Sequence, residues 1–369
     1  MKKFTLIIVL LLVLSFIFVF ILALNIQETE PNTIVVPDDY PTIQNAIDSA
    51  DEGDTLYVKN GTYYENVIVD KSIILIGECK ETTIIDGGKI RDVVKIVHNR
   101  VNLTGFTLQN AFDPSHIPDP FVPSLVGGVT LAGAHYCNIT GNIVKNNTQG
   151  ILLHGSSQNI ISSNIVTNND DNGVLLYASA NNTTISENNV TNNRRGITLQ
   201  ESVGFNTIYG NNIENNDIAG ILHHRTSFDN SFIGNNITNN NIGVQIGSSA
   251  RTIFHHNNFM NNTVQVSYTR PYSFPPLIWD EEEGNYWDDY TGVDNNGDGI
   301  GDTPYVIAEN NQDNYPLMNP VDISVIPEFS IMDTNARNTD LACSCCSHLQ
   351  TKTKTTNQLT INIKHLLRF

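Results

Sequence analysis

Between residues 142 and 244 the chain repeats one phrase five times. Asn142-Ile143 leads to Gly150-Ile151, and Asn164-Ile165 to Gly173-Val174. Asn189-Val190 leads to Gly196-Ile197, Asn212-Ile213 to Gly220-Ile221 and Asn236-Ile237 to Gly243-Val244. The five glycines are spaced 23, 23, 24 and 23 residues apart. A fixed period of that size marks a solenoid, in which no repeat buries its apolar face alone and each stacks on the next. Most enzyme architectures are excluded by it.

Each repeat holds three short apolar pieces, such as Asn159-Ile160-Ile161, Asn164-Ile165-Val166 and Gly173-Val174-Leu175-Leu176, separated by Asn, Gly or Ser. The pieces are too short and interrupted for helices and suit brief strands with tight corners. The leucine framework of a leucine-rich repeat is missing. Asparagine suits the corners because it tolerates left-handed backbone and bonds its own main chain. Stacked asparagines can also bond one another along the solenoid. The expected fold is therefore all-β, a right-handed parallel β-helix of coils of about 23 residues. About nine coils between residues 55 and 268 would give a rod roughly 45 Å long at the ordinary strand spacing. Val174 and Leu176 are expected to point inward, and Leu175 and Tyr177 outward.

The domain plan follows from the flanks. Residues 1–30 hold Met1-Lys2-Lys3 and then an uncharged apolar run from Phe4 to Leu24. Such a run is either a signal peptide or an N-terminal membrane anchor, and Lys2 and Lys3 keep its start inside. Residues 33–268 form the β-helix. Its beginning, 41–51, places Ile43, Ala46, Ile47 and Ala50 at helical spacing and is expected to cap the open apolar end. Residues 269–320 form an irregular C-terminal cap. Residues 321–369 read as a disordered tail, in which the charge balance turns basic from residue 330 onward and Cys343, Cys345 and Cys346 cluster. Cys79 and Cys137 are expected in the core.

The net charge of −18 and the lack of any basic stripe exclude a nucleic-acid partner. An acidic, exposed protein outside the cytoplasmic membrane fits instead.

Thr55-Leu56-Tyr57-Val58, Gly61-Thr62-Tyr63, the Asn-Ile…Gly-Ile repeats and Asn285-Tyr286-Trp287-Asp288-Asp289-Tyr290 together resemble the NosD-like right-handed β-helix family. The resemblance covers roughly residues 33 to 320. It implies an extracytoplasmic or cell-surface setting, and it overlaps with carbohydrate-binding and sugar-hydrolase β-helix domains. The namesake members are periplasmic and tied to copper-site assembly in nitrous oxide reductase. Copper would need imidazole or sulfur ligands. His223-His224 and His255-His256 are the pairs available, and they fall on different faces.

Alignment on the glycines shows which side chains stack. Asp171 falls one coil from Arg194, and Glu201 one coil from Arg225, while Tyr177, Gln200 and His224 form a column between the two pairs. That strip is a candidate saccharide-binding surface, with Tyr177, Gln200 and His224 as contacts. Asp171, Arg194, Glu201 and Arg225 are the candidates for acid, base or charge stabilisation. The competing reading is that the charges are cross-strand pairs that fix register. The function expected is a scaffold that binds polysaccharide or envelope material. A polysaccharide lyase or glycoside hydrolase, and a NosD-like copper accessory factor, are the alternatives. The Pro-rich insertion 113–120 is read either as an overhang of this strip or as an idle loop.

One further motif calls for a metal. In Asp294-Asn295-Asn296-Gly297-Asp298-Gly299-Ile300-Gly301-Asp302 the side chains of Asp294, Asn296, Asp298 and Asp302, with the Ile300 carbonyl, match the oxygen pattern of a Ca²⁺ loop, and Gly299 makes its sharp turn. Within the loop 294–305, Tyr305 stands where a bidentate Glu would close the site. Asp313 and Glu309 are the candidate acids to close it instead.

Overall fold

A computed structural model describes residues 30–114, 123–269, 277–309 and 311–325. The apolar run Phe4–Leu24, the centre of the 113–120 insertion and the cysteines of the tail lie outside these residues. Among the described residues no helix is long and apolar enough to cross a membrane.

The chain is a parallel β-helix. Three long parallel sheets of ten, ten and nine strands run along it, and each coil contributes one strand to each sheet. The first sheet begins with Thr33–Val36, paired to Thr55–Val58, an edge strand that the repeat did not announce. The second runs through the short strands that follow each Asn corner, such as Ile143–Lys145 and Ile165–Thr167. The third holds the long strands Gly127–Ala132, Gln149–His154, Asn172–Tyr177, Arg195–Gln200 and Ala219–His224. Val174 and Leu176 point into the continuous core, as the period-two alternation requires. Leu175 points away from that core and is nonetheless fully buried, as are Leu152 and Thr198 beside it. The outer face of the third sheet is thus withdrawn from water.

The corners are held by asparagine ladders. Asn142, Asn164, Asn188, Asn211, Asn235, Asn257 and Asn285 form the longest. Each donates both its backbone N–H and its side-chain Nδ2–H to the Oδ1 of the next. Asn147, Asn169, Asn193, Asn216, Asn240 and Asn262 form a second. All of these side chains but Asn262 are buried, and the ladder satisfies polar groups that would otherwise cost about 1–3 kcal/mol each. The ladder also corrects the alignment read from the repeats. Ile165 pairs with Asn189, and Val166 with Val190. The conserved unit of the coil is Asn-x-(Val/Ile), and the Asn-Ile dipeptides of the first two coils sit one residue out of step with the later ones.

The helix spans Ile43–Ser49 and begins at Thr42, whose hydroxyl accepts from Asn45 N–H at 3.1 Å. Glu65 of the following coil accepts from Ile43 and Gln44 N–H. Ile43, Ala46 and Ile47 are fully buried in the core. Towards the other end the interior changes from aliphatic to aromatic. Phe232, Phe254 and Trp279 stack at 4.5 and 4.6 Å, and Phe259, Trp287 and Tyr305 at 4.1 and 4.3 Å. Cys79 and Cys137 are buried, and burial pushes the Cys137 thiol up to about 11.

Candidate binding face and metal-ligating residues

Pairing along the third sheet skips each repeat glycine, which marks a bend in the strand there. A Cβ on Gly173 would lie 2.6 Å from Val190 Cγ1 and 2.8 Å from Asn193 Nδ2. Gly173 therefore faces the interior, as Val174 does, and no larger residue fits there. The bend breaks the strict alternation, so the residue before each glycine turns outward. Gln149, Asn172 and Arg195 form this outward column, which sequence reading missed because simple parity assigns these positions to the core.

The column is a hydrogen-bonded network. Arg195 Nη1 donates to Asp171 Oδ1 at 2.6 Å, and Gln149 Nε2 donates to Asp171 Oδ2 at 3.2 Å. Asn172 Nδ2 donates to Gln149 Oε1, and Thr198 Oγ1 to Asn172 Oδ1. Arg194 does lie beside Asp171, at 3.3 Å, but the buried Arg195 is the closer partner. Burial holds the Arg195 guanidinium below its ordinary value, against the attraction of Asp171 and with help from Arg194.

The stacked column stands where the glycine alignment put it. His154 pairs with Tyr177, Tyr177 with Gln200, and Gln200 with His224. The His154 and Tyr177 rings are 5.6 Å apart and tilted. His224 packs over Gly247, where a Cβ would fall 1.8 Å from its Cδ2. Tyr177 and His224 are half-buried, but Gln200 is only 2% exposed, so its side chain forms the floor of the strip. Glu201 and Arg225 bond each other across one coil, held in left-handed turns at φ +68° and +53°. Both candidate carboxylates, Asp171 and Glu201, are thus engaged by guanidiniums.

The metal candidates separate. In the loop 294–302, Asp294 accepts from the N–H groups of Gly297, Asp298 and Gly299. Asn296 Nδ2 donates to Asp298, and Asn295 donates to Asp302. Gly297 and Gly299 hold φ of +76° and +89°, so the sharp turn is present. Gly299 and Gly301 bond Met318 and Pro316, which ties the loop to the segment after Asp313. Asp313 is not available to close this loop. It is buried at the end of the longest asparagine ladder, where its Oδ2 accepts from Asn285 N–H, Asn285 Nδ2–H and Trp287 Nε1–H. Tyr305 stacks on Trp287 and donates to Asp289.

The histidine pairs lie on different sheets. His223 points into the core, fully buried, with Nε2 facing Asn230 Nδ2 and Thr252 Oγ1. His255 and His256 bring their Nδ1 atoms to 2.7 Å, and His256 Nε2 meets Glu283 at 2.8 Å. Among the described residues no three His, Cys, Asp or Glu side chains converge as a metal site. Two imidazoles without a third soft or nitrogen donor do not make the set that protein copper sites use, so these residues do not fit copper.

The family model described as periplasmic copper-binding protein (NosD) matches residues 44–236 and 222–292, together more than half of the chain. Among curated proteins there is no match. Solved β-helix structures are similar at low identity. The A-module of the Azotobacter vinelandii mannuronan C-5 epimerase AlgE4 shares 17% identity over 66% of this chain and 82% of that one, with a TM-score of 0.49. XylC in complex with xylose shares 12% over 70% and 68%, also at 0.49. The periplasmic alginate epimerase AlgG shares 16% over 67% of this chain and 54% of that one, at 0.44.

Proposed function

We propose, from the premise that this chain belongs to the NosD family, that it is an extracytoplasmic β-helix protein. The half-buried end of its third sheet, where His154, Tyr177 and His224 stand, binds polysaccharide or another envelope glycan, and it works as a scaffold rather than by turnover. The family's own description is of a periplasmic protein, which supports the compartment. The observation that carries the binding reading is the unbroken column His154, Tyr177, Gln200 and His224 in four successive coils. Rings and amides repeating at the strand spacing of about 4.8 Å suit a linear polymer of sugar rings, each with an apolar face and a hydroxyl edge. The test is a glycan array probed with the full chain, followed by Tyr177→Ala combined with His154→Ala. The double variant should lose roughly tenfold or more of the affinity, the order expected for removing stacked rings. An array without any bound glycan, or a double variant that binds unchanged, would sink the reading. Formation of new reducing ends or unsaturated products from a bound glycan would turn it into the lyase or hydrolase alternative.

The same proposal includes Ca²⁺ in the loop 294–302, with Asp294, Asn296, Asp298, Asp302 and the Ile300 carbonyl as ligands. The three carboxylates lie within nine residues but are turned onto backbone and asparagine N–H groups, and a hard divalent cation would draw their oxygens together. Its role is to stabilise the segment around Trp287 and Tyr305. Millimolar Ca²⁺ is expected to raise the melting temperature by mass action, and Mg²⁺ less so because it dehydrates reluctantly. Asp298→Ala should remove the difference. Identical melting in Ca²⁺ and in chelator would reduce the loop to an acidic turn.

A further inference from the structure

Each coil turns from the third sheet into the first through a residue in left-handed backbone. In six successive coils that residue is Tyr136, Gln158, Asn182, Phe205, Asp229 and Arg251, with φ between +51° and +61°. The N–H of each from Tyr136 to Asp229 donates to a carbonyl of the following coil, so the six stand in register along one edge of the rod. At the other two corners the same conformation falls to different residues. Between the second sheet and the third it is taken by Asn146, Asn168, Asn192, Asn215, Asn239 and Asn261, at +55° to +57°. Between the first and the second it is taken by Gly141, Gly210 and Gly234, and by Ser163, Glu187 and His256, which hydrogen-bond across coils. Glycine and asparagine tolerate left-handed backbone, whereas it is costly for a bulky side chain.

Tyr136 and Phe205 are thus out of place by the standard of the molecule's own other corners. They are 52% and 55% exposed, so core packing does not offset the strain. Backbone strain of this kind collects at functional sites. The surroundings hold both rings in position. The Arg100 guanidinium lies over the Tyr136 ring, 5.7 Å from its centroid. Phe205 meets Phe228 edge-on at 5.7 Å. Phe228 rests on Gly204, where a Cβ would fall 2.9 Å from its Cε2, and the Arg251 guanidinium lies over the Phe228 ring at 5.7 Å. Arg251 is fixed in turn by two bonds of 2.7 Å to the carboxylate of Asp229.

We propose that this edge is a second glycan-contacting surface, one that takes the face of a packed, neutral polysaccharide. It rests on the polysaccharide-binding reading and adds a contact outside the third sheet. Residues at a corner point away from the rod axis, so the six side chains form a straight ridge and no groove. A ridge meets a flat array of chains, where a groove would enclose one chain. Tyr136 and Phe205 stand three coils apart, roughly 14 Å at the strand spacing. They present apolar ring surface to the apolar faces of sugar rings. The amides of Gln158 and Asn182 lie between them and both donate to and accept from hydroxyls. The Asp229 carboxylate is engaged by Arg251. The centre of the ridge, from Tyr136 to Phe205, therefore carries no charge, which favours a neutral polymer over a charged one.

The test is co-sedimentation of the full chain with microcrystalline cellulose, chitin and crystalline mannan, beside the array of soluble glycans. The parent should sediment with at least one of the three solids. The informative variant is Tyr136→Asn combined with Phe205→Asn, because asparagine suits the left-handed corner. It should melt at the same temperature or higher and lose roughly tenfold or more of the affinity for the solid, the order expected for two ring contacts. A soluble glycan held by the Tyr177 column should bind this variant unchanged. A melting temperature that falls would make the two rings structural, and undiminished sedimentation would make them idle; either overturns the ridge. Sedimentation with none of the solids, while a soluble glycan still binds, overturns the ridge and leaves the Tyr177 column standing. No glycan bound in either form overturns both. A parent that self-associates and a variant that does not, with no solid bound, would assign the edge to a second copy of the chain instead.

Discussion

His223 stands where a coil of this kind normally places an aliphatic residue. Its register partners are Leu199 and Ile246, and burial, with His224 adding to it, depresses its pKa to about 3. The native state therefore keeps it neutral while the unfolded chain titrates at the ordinary value of 6.5. Its contribution to stability is fully present above pH 6.5 and is lost as the pH falls towards 3, by about 1.4 kcal/mol per unit. His223→Leu should flatten the acid limb of a plot of melting temperature against pH. A variant whose acid limb matches the parent would show that the ring is not sealed from solvent. The imidazole also explains why a histidine pair in the sequence was a poor pointer to metal. His223 and His224 are neighbours in the chain, yet alternation sends one into the core and the other to the surface.

Among the elements, the longest asparagine ladder is the most informative, and its last rung is a carboxylate. Burial raises Asp313 to about 6 against 3.8 for an exposed aspartate, although its hydrogen bonds to Trp287, Asn285 and Tyr315 pull the other way. A raised carboxyl is neutral in both states below pH 3.8. As the pH climbs through 6 the unfolded chain ionises first, so the folded state loses up to about 3 kcal/mol relative to its acid-side stability. Asp313→Asn cannot ionise and should erase this slope between pH 4 and 6.5, opposite in sign to the effect of His223. Melting curves of the two single variants and their combination separate the contributions. An unaltered slope in Asp313→Asn would place the titration elsewhere. The glycine period of the third sheet was legible in the sequence because only glycine fits against Val190 and Asn193. The ladder was half legible. Asparagine at the corners was plain, but Asn188-Asn189, Asn211-Asn212 and Asn235-Asn236 each offer two candidates for one rung, and composition cannot choose between them. Arg195 was illegible for a different reason: its outward turn depends on a backbone bend that alternation does not encode. Asp313 looked like a free acid near a metal loop because nothing local reveals that it ends a ladder assembled from residues far upstream.

At the scale of the whole molecule each coil touches only its neighbours, so stability is approximately a sum of coil and interface contributions. A charge placed in the middle of the core should therefore split the rod. Leu176→Asp puts an unpaired carboxylate beside Val174, Ile197 and Leu199, at a cost on the order of 4 kcal/mol or more. Hydrogen exchange should show the coils around residue 176 opening together, while the aromatic end from Phe254 to Trp287 stays protected. Uniform exchange along the rod, or an unchanged melting temperature, would contradict a one-dimensional solenoid. The ladders have a second consequence, for heredity. Asn164 and Asn188 are successive rungs of one ladder, so a gene that lost residues 164–187 would join Ser163 to Asn188 and leave every column of the rod closed up and in step. A gene that lost one residue from the same stretch would shift an asparagine off its rung and a valine off the core. Such a protein can lengthen or shorten by whole coils without redesign, and its length is inherited in steps of about two dozen residues.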